Sequence, residues 1–214
     1  MSDLLLSPIE ARVIGALVEK SVTTPQYYPM TVNAIMMACN QKNCRNPVMA
    51  LTEGDTGAAL NRLESLGFAS RDDHSGRVPK WRHRFQHQML MSPQVMAVLI
   101  TLMLRGPQTL AELRANAATL GGPSEPDGLD AAMQDLSDRR QPLIAQLPRA
   151  PGQKEMRYTH LVCGTPEAAT EEYAKPPASA HGEVRPSASA TAALEARVLA
   201  LETRLAELER QLGI

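Results

Sequence analysis

Residues 80–85 alternate cations with rings: Lys80, Arg82 and Arg84 interleave with Trp81, His83 and Phe85. In an extended strand successive side chains point to opposite faces, so the cations share one side and the rings the other. A one-sided row of Lys and Arg is what phosphate contact requires, because neutralising backbone charge supplies most of the affinity for nucleic acid. The same row also suits a strand that needs only to stay soluble at a sheet edge. On the strand alone both readings stand equally. Arg71, in the strand expected to pair with this one, and Lys42 and Arg45, in the polar stretch 40–49, extend the set. Asn40-Gln41-Lys42 with Arg45 also has a purely structural reading, in which Asn40 caps the preceding helix and Arg45 bridges to Glu19 or Glu64.

Other chemistries fit less well. Cys39-x4-Cys44 and His83-x3-His87 are two pairs that could clasp zinc, but the spacing is loose and they fall in different elements, so no metal is expected. The alternative is a small buried Cys39, a chance Cys44 and solvent-facing histidines. No phosphate-binding glycine loop, dinucleotide fingerprint, nucleophile elbow or zinc-protease motif occurs. Gly54-Asp55-Thr56-Gly57 resembles an aspartic-protease motif only superficially, because it opens a helix. No catalytic residue and no cofactor are assigned, and the expectation is a non-enzymatic protein.

The elements that must position the cations are legible nearby. Thr52 can cap a helix with Asp55 three residues on. Ala59, Leu60, Leu63 and Leu66 recur at helical spacing, and Gly67 stops the helix. Asn61 and Arg62 fall on the outward face of this helix, with Gly54, Ala58 and Ser65. Phe68 enters the core, and His74-Ser75-Gly76 forms the tip of a hairpin. Upstream, Ser7-Pro8-Ile9-Glu10 opens a helix over residues 8–20 that buries Ile9, Val13 and Leu17. A second helix is expected over residues 30–38, with Val32, Ile35 and Met36 inside. Tyr27 and Tyr28 are expected to pack under the turn. Helix, helix, helix, strand, strand is a winged-helix plan.

The order repeats. Ser92-Pro93 echoes Ser7-Pro8, with Val95, Leu99 and Leu102 buried and Arg105-Gly106-Pro107 ending the helix. Thr109 with Glu112 makes a second capping box. A third helix over residues 127–139 buries Leu129, Ala132, Met133 and Leu136, and strands over residues 143–147 and 156–162 form a second hairpin. Arg157-Tyr158-Thr159-His160 echoes Lys80-Trp81-Arg82-His83, which points to an internal duplication. The third helix of this copy is acidic, with Asp127, Asp130, Asp135 and Asp138.

Residues 166–190, with Pro166, Pro176, Pro177 and Pro186 among Ala, Ser and Glu, read as a flexible linker. Beyond them Leu194, Val198, Leu201, Leu205, Leu208 and Leu212 step by four and three, the spacing of a coiled-coil seam. Arg197 and Arg204 fall at g, Glu202 and Glu209 at e, which suits a parallel homodimer. A solitary helix docked on its own chain is the alternative.

Composition sets few further bounds. Aromatics make up 3% of the 214 residues, which argues against large sandwich cores, and eleven Met suit gaps between helices. The net charge of −1 conceals a gradient: residues 1–90 hold ten Lys/Arg against eight Asp/Glu, and residues 166–214 five against eight. No stretch is basic enough to announce nucleic acid by charge alone. Met1-Ser2-Asp3 carries no basic region ahead of an apolar core, and the most apolar run, residues 95–104, is too short to span a bilayer. With an odd count of three cysteines, a cytoplasmic chain with free thiols and no membrane contact is expected.

The run Glu10-Ala11-Arg12-Val13-Ile14, then Glu19-Lys20, Thr23-Thr24-Pro25, Tyr28-Pro29, Asn33, Ala38-Cys39-Asn40-Gln41-Lys42, Arg45 and Pro47-Val48-Met49 resembles the signature of the bacterial YceH-like family of uncharacterised proteins. The likeness continues through Leu102, Arg105-Gly106, Thr109, Arg157-Tyr158 and His160-Leu161. Cys44 departs from it, standing where a variable polar residue is expected. The resemblance implies two tandem winged helices and no particular function.

The fold expected is therefore mainly α with small β-hairpins (α+β): winged-helix domains at 1–90 and 91–165, a linker at 166–190 and a coiled-coil helix at 191–214. The function expected is double-stranded DNA binding through Lys42, Arg45, Asn61, Arg62, Arg71, Lys80, Arg82 and Arg84. The alternative is an assembly module whose winged helices dock a protein partner.

Overall fold

Of the described helices five start at a side-chain cap, and the one over Pro126–Ser137 starts at a proline without one. In the computed structural model, which describes residues 5–72, 78–149, 152–153 and 155–165, helix α1 (Pro8–Thr23) opens on a reciprocal capping box. The Glu10 N–H donates to Ser7 Oγ at 3.2 Å and the Ser7 N–H donates to Glu10 Oε2 at 2.8 Å. Thr52 and Asp55 do the same for α3 (Glu53–Ser65), and Thr109 and Glu112 for α6 (Leu110–Ala118). Ser92 caps α5 (Pro93–Arg105) by accepting the Val95 N–H. The remaining helices among the described residues are α2 (Val32–Cys39), the short α4 (Phe85–Met89), α7 (Pro126–Ser137) and a single 3-10 turn at Pro25–Tyr27.

Among the described residues five strands complete an α+β fold. Strands β1 (Met30–Thr31), β2 (Ala69–Asp72) and β3 (Lys80–His83) form an antiparallel sheet in the order β1-β3-β2. Strands β4 (Ile144–Leu147) and β5 (Arg157–His160) form a second, two-stranded one. The second half follows the order helix, helix, helix, strand, strand after α4, and the first half follows it with the 3-10 turn and β1 inserted between α1 and α2. The expected hairpin tip at His74-Ser75-Gly76, the linker and the heptads lie outside the described residues.

Several boundaries differ from expectation, α7 ending at Ser137 and β5 at His160, and three of the differences have a local reason. Helix α1 runs on to Thr23, where the Ser21 and Thr23 hydroxyls donate back to the carbonyls of Val18 and Glu19. Helix α2 starts at Val32 because Met30 and Thr31 are taken by the sheet, opposite Trp81 and Lys80, and Thr31 then serves as the cap. Strand β3 stops at His83. The Arg84 N–H donates to Phe68 O at 2.6 Å and Phe85 begins α4, so Phe85 reaches the core from a helix. Gly67 ends α3 at φ +77°, with the Phe68 N–H closing onto Leu63 O.

The buried side chains form one cluster through both halves, with α1 and α5 at its centre. Gly15 permits their close approach: a Cβ there would stand 3.0 Å from Leu104 Cδ2. Among the described residues polar contacts also join the halves: Leu6 N–H to Val162 O, Asn46 N–H to Leu104 O, and Arg139 through Nη1 to Met89 O at 2.7 Å and Nη2 to Leu90 O at 3.4 Å. Among the described residues no helix is long and apolar enough to cross a membrane.

Candidate nucleic-acid interface

Register decides which cations meet. Ser70 faces Arg82, Asp72 faces Lys80, Ala69 faces His83 and Arg71 faces Trp81. Residues directly opposite share a face, so Trp81 and Ala69, both buried, define the inner side. Lys80 and Arg82 lie on the outer side with Ser70 and Asp72. Arg84 joins them, its Nε donating to Ser70 Oγ at 3.1 Å. The three cations of the return strand are thus gathered on one outer face. Arg82 is partly neutralised there, with Nη2 2.8 Å from Asp72 Oδ2.

Arg71 is on the opposite face. Its guanidinium lies 5.0 Å from the centre of the Trp81 ring, a cation–π distance. Its Nη2 donates to Asn61 Oδ1 at 2.8 Å, and its Nε stands 3.4 Å from Glu64 Oε2. Arg71 therefore belongs with α3 and not with the outer row. On α3, Asn61 and Arg62 are exposed, and Lys42 is exposed in the loop between α2 and α3.

Arg45 corrects the expected site. Its side chain is fully buried, so it cannot reach a phosphate. Nη1 donates to Glu19 Oε1 at 3.1 Å and Nη2 to Glu19 Oε2 at 2.5 Å, and the same guanidinium serves Ala38 O, Cys44 O and Gln41 Oε1. Burial would raise the Glu19 carboxyl, but the hydrogen bonds and charge of Arg45, with Lys20, outweigh it and hold the group below its ordinary value.

The histidines and tyrosines are also reassigned in part. His83 does not face solvent. Burial, reinforced by the charge of His87, pushes it down to about 4, and its Nε2 lies 3.1 Å from Ser21 Oγ. Tyr28 packs against the core and its hydroxyl accepts the His83 N–H. Tyr27, expected to pack beside it, is exposed. Cys39 is buried and pushed up to about 12 by that burial, against the opposing charges of Arg12 and Arg45; such a thiol is a poor nucleophile. Among the described residues no three His, Cys, Asp or Glu side chains are grouped to hold a metal ion.

A sequence profile described as "Protein of unknown function, DUF480" matches residues 6–153. A UPF0502 protein of Geobacter sulfurreducens is 42% identical over 199 residues, covering 93% of this chain and 91% of that protein. A UPF0502 protein of Burkholderia pseudomallei is 42% identical over 203 residues, covering 95% and 84%. The chain belongs to this DUF480/UPF0502 family of bacterial proteins. Much of the run that carries the resemblance is scaffold in this DUF480 chain. Arg12 donates to the carbonyls of Cys39 and Pro47, and the Asn40 amide both donates to Leu51 O and accepts its N–H, each at 2.8 Å. With Glu19 and Arg45, these residues fix the loop that delivers α3. Spacing alone did not reveal the Tyr28 hydroxyl at β3, nor the Asn61–Arg71–Glu64 cluster.

Proposed function

We propose that the chain is a non-enzymatic cytoplasmic protein of tandem winged-helix design that binds double-stranded DNA through its first half. The outer row of Lys80, Arg82 and Arg84 meets phosphates, α3 approaches the groove with Asn61 and Arg62, and Lys42 lies alongside. One observation carries this reading over edge protection. Strand β3 is the central strand, flanked by β1 and β2, and where β1 ends the Tyr28 hydroxyl takes the His83 N–H. A strand closed on both sides has no open edge to protect, so a cation row on its outer face has another use. The three free cysteines suit a reducing compartment.

The proposal includes self-association through the heptads at Leu194–Leu212 in the sequence, which doubles the contact. Three phosphate contacts per chain give a dimer about six, and the slope of log affinity against log salt is then near −5. Changing Lys80, Arg82 and Arg84 together to Ala should flatten that slope without unfolding the chain, since all three point away from the core. Absence of DNA affinity in the unmodified chain at about 50 mM salt, where phosphate contacts are strongest, would remove the proposal. A second reading, docking of a protein partner, is favoured by α7 and its C-cap, where Asp127, Asp130, Asp135 and Asp138 are all exposed. That face repels phosphate, which confines DNA contact to the first half.

A further inference from the structure

Strand β2 holds both arginines of the outer face by the same edge, with opposite electrostatic results. The Arg82 Nε donates to Asp72 Oδ2 at 2.9 Å, and its Nη2 lies 2.8 Å from the same oxygen. Asp72 also faces Lys80 across the ladder. The Arg84 Nε donates instead to Ser70 Oγ at 3.1 Å. A carboxylate offsets the charge it holds, and a hydroxyl does not. Arg82 therefore meets a phosphate only in competition with Asp72, whereas Arg84 keeps its full charge.

Arg84 is also fixed through its backbone at both ends. Its N–H donates to Phe68 O at 2.6 Å, and its carbonyl accepts the Gln88 N–H at 3.0 Å in the first turn of α4. A guanidinium is a planar array of N–H donors, with a side edge through Nε and an end fork of Nη1 and Nη2. Ser70 occupies the side edge. Among the described residues no other group binds the Arg84 side chain, and the residue is exposed. The end fork is left for a ligand, and its parallel donors match two oxygens of a phosphodiester.

We propose that Arg84 is the phosphate anchor of the outer row and Ser70 its positioning residue: the hydroxyl takes the Nε edge and presents the fork of a fully charged guanidinium outward. The proposal rests on the DNA-binding reading above and names the ligand of this point as one backbone phosphate of duplex DNA, met without regard to base.

The test measures affinity of the full chain for a mixed-sequence duplex over a salt series, with Ser70→Ala, Ser70→Thr, Arg84→Lys and Arg84→Ala. Ser70→Ala removes no charge, so it should keep the salt slope and weaken binding about threefold to tenfold, the worth of one hydrogen bond. Ser70→Thr keeps the hydroxyl, suits a strand and should restore the affinity. Arg84→Lys keeps the charge without the fork and should weaken binding by a similar factor. In an Arg84→Ala chain, Ser70→Ala should cost nothing further, because the hydroxyl acts through the guanidinium. Fluorescence of Trp81, the chain's one tryptophan, reports whether each variant keeps the sheet. Unchanged affinity in Ser70→Ala or Arg84→Lys, or the same loss from Ser70→Ala with and without Arg84, overturns the proposal and leaves DNA binding intact. No affinity for any duplex overturns both. If Ser70→Ala disturbs Trp81, Arg84→Lys decides the matter alone.

Discussion

Arg45 lays its guanidinium along both carboxylate oxygens of Glu19, at 3.1 and 2.5 Å, from a fully buried position. The pair joins α1 to the loop between α2 and α3, so the entry to α3 depends on it. Removing one member of a buried pair leaves the other charge poorly compensated, at a cost of about 3–5 kcal/mol, which Lys20, 3.3 Å from Glu19 Oε2, holds to the lower end here. Arg45→Met should therefore lower the unfolding free energy by about 3 kcal/mol in urea titration. The double variant with Glu19→Gln should cost less than the two single changes summed. Because the folded carboxyl of Glu19 is held below its ordinary 4.5, the stability it adds is present above that value and fades as pH falls further. In Arg45→Met, where only Lys20 opposes the effect of burial, this loss of stability on acidification should disappear or reverse.

Two half-buried histidines act in a milder pH range. Burial pushes His160 down to about 4, and burial with the charge of His87 does the same to His83, from an ordinary 6.5. Between those values the unfolded chain binds more protons than the folded one, so stability rises with pH there. It should be fully present above about pH 6.5 and decline steadily toward pH 4. Urea midpoints measured at pH 7, 6 and 5 should fall in that order. Replacing both residues by Gln, which does not titrate, should flatten the trend between pH 6.5 and 5.

The α1–α5 crossing makes a third point of leverage. A Cβ at Gly15 would meet Leu104 Cδ2 at 3.0 Å and Cγ at 3.3 Å. Ala asks a flexible side chain to move by a few tenths of an ångström and should be tolerated, helped by its better helix propensity. Val adds bulk that Leu104 cannot clear and should cost about 1–3 kcal/mol, the range for overpacking a core. Thermal unfolding of both variants would show it: equal melting temperatures for Ala and Val would mean the helices part easily there.

Local chemistry made most of this fold legible. Capping boxes at Ser7, Thr52 and Thr109 and the stop at Gly67 are short-range signals, and the buried stripe Leu129, Ala132, Met133, Leu136 follows from helical period alone. What stayed hidden depends on partners distant in the chain. Met30 reads as the start of a helix until Trp81, fifty-one residues on, pairs with it. Phe85 continues the alternation of β3 on paper, yet the Arg84 N–H turns toward Phe68 and starts α4. The site divides the same way. Period two placed Lys80, Arg82 and Arg84 together, while the polar loop left Arg45 two readings, a phosphate contact or a bridge to Glu19 or Glu64, and the structure takes the bridge to Glu19. Arg71 was found as a cation and missed as a clamp, since its partners Asn61 and Glu64 lie on another element.

The heptads give the last prediction. Leu194, Val198, Leu201, Leu205, Leu208 and Leu212 hold seam spacing, and Arg197 and Arg204 can reach Glu202 and Glu209 of a parallel partner. The full chain should sediment as a dimer, and changing Leu201 and Leu205 together to Ser should give a monomer. A chain ending before Thr191 should also be monomeric. If its mass per particle equals that of the full chain, the heptads are not the contact. Orientation can be checked separately: Cys in place of Leu201, in a chain whose exposed Cys44 is replaced by Ser, should cross-link across a parallel seam and not across an antiparallel one. Dimerisation also bears on DNA. Six phosphates neutralised by a dimer become three in a monomer, so the Leu201→Ser, Leu205→Ser chain should show a salt slope near −3 in place of about −5. A monomer that keeps the steeper slope would mean that one chain makes all the phosphate contacts, and the heptads would then serve some other assembly.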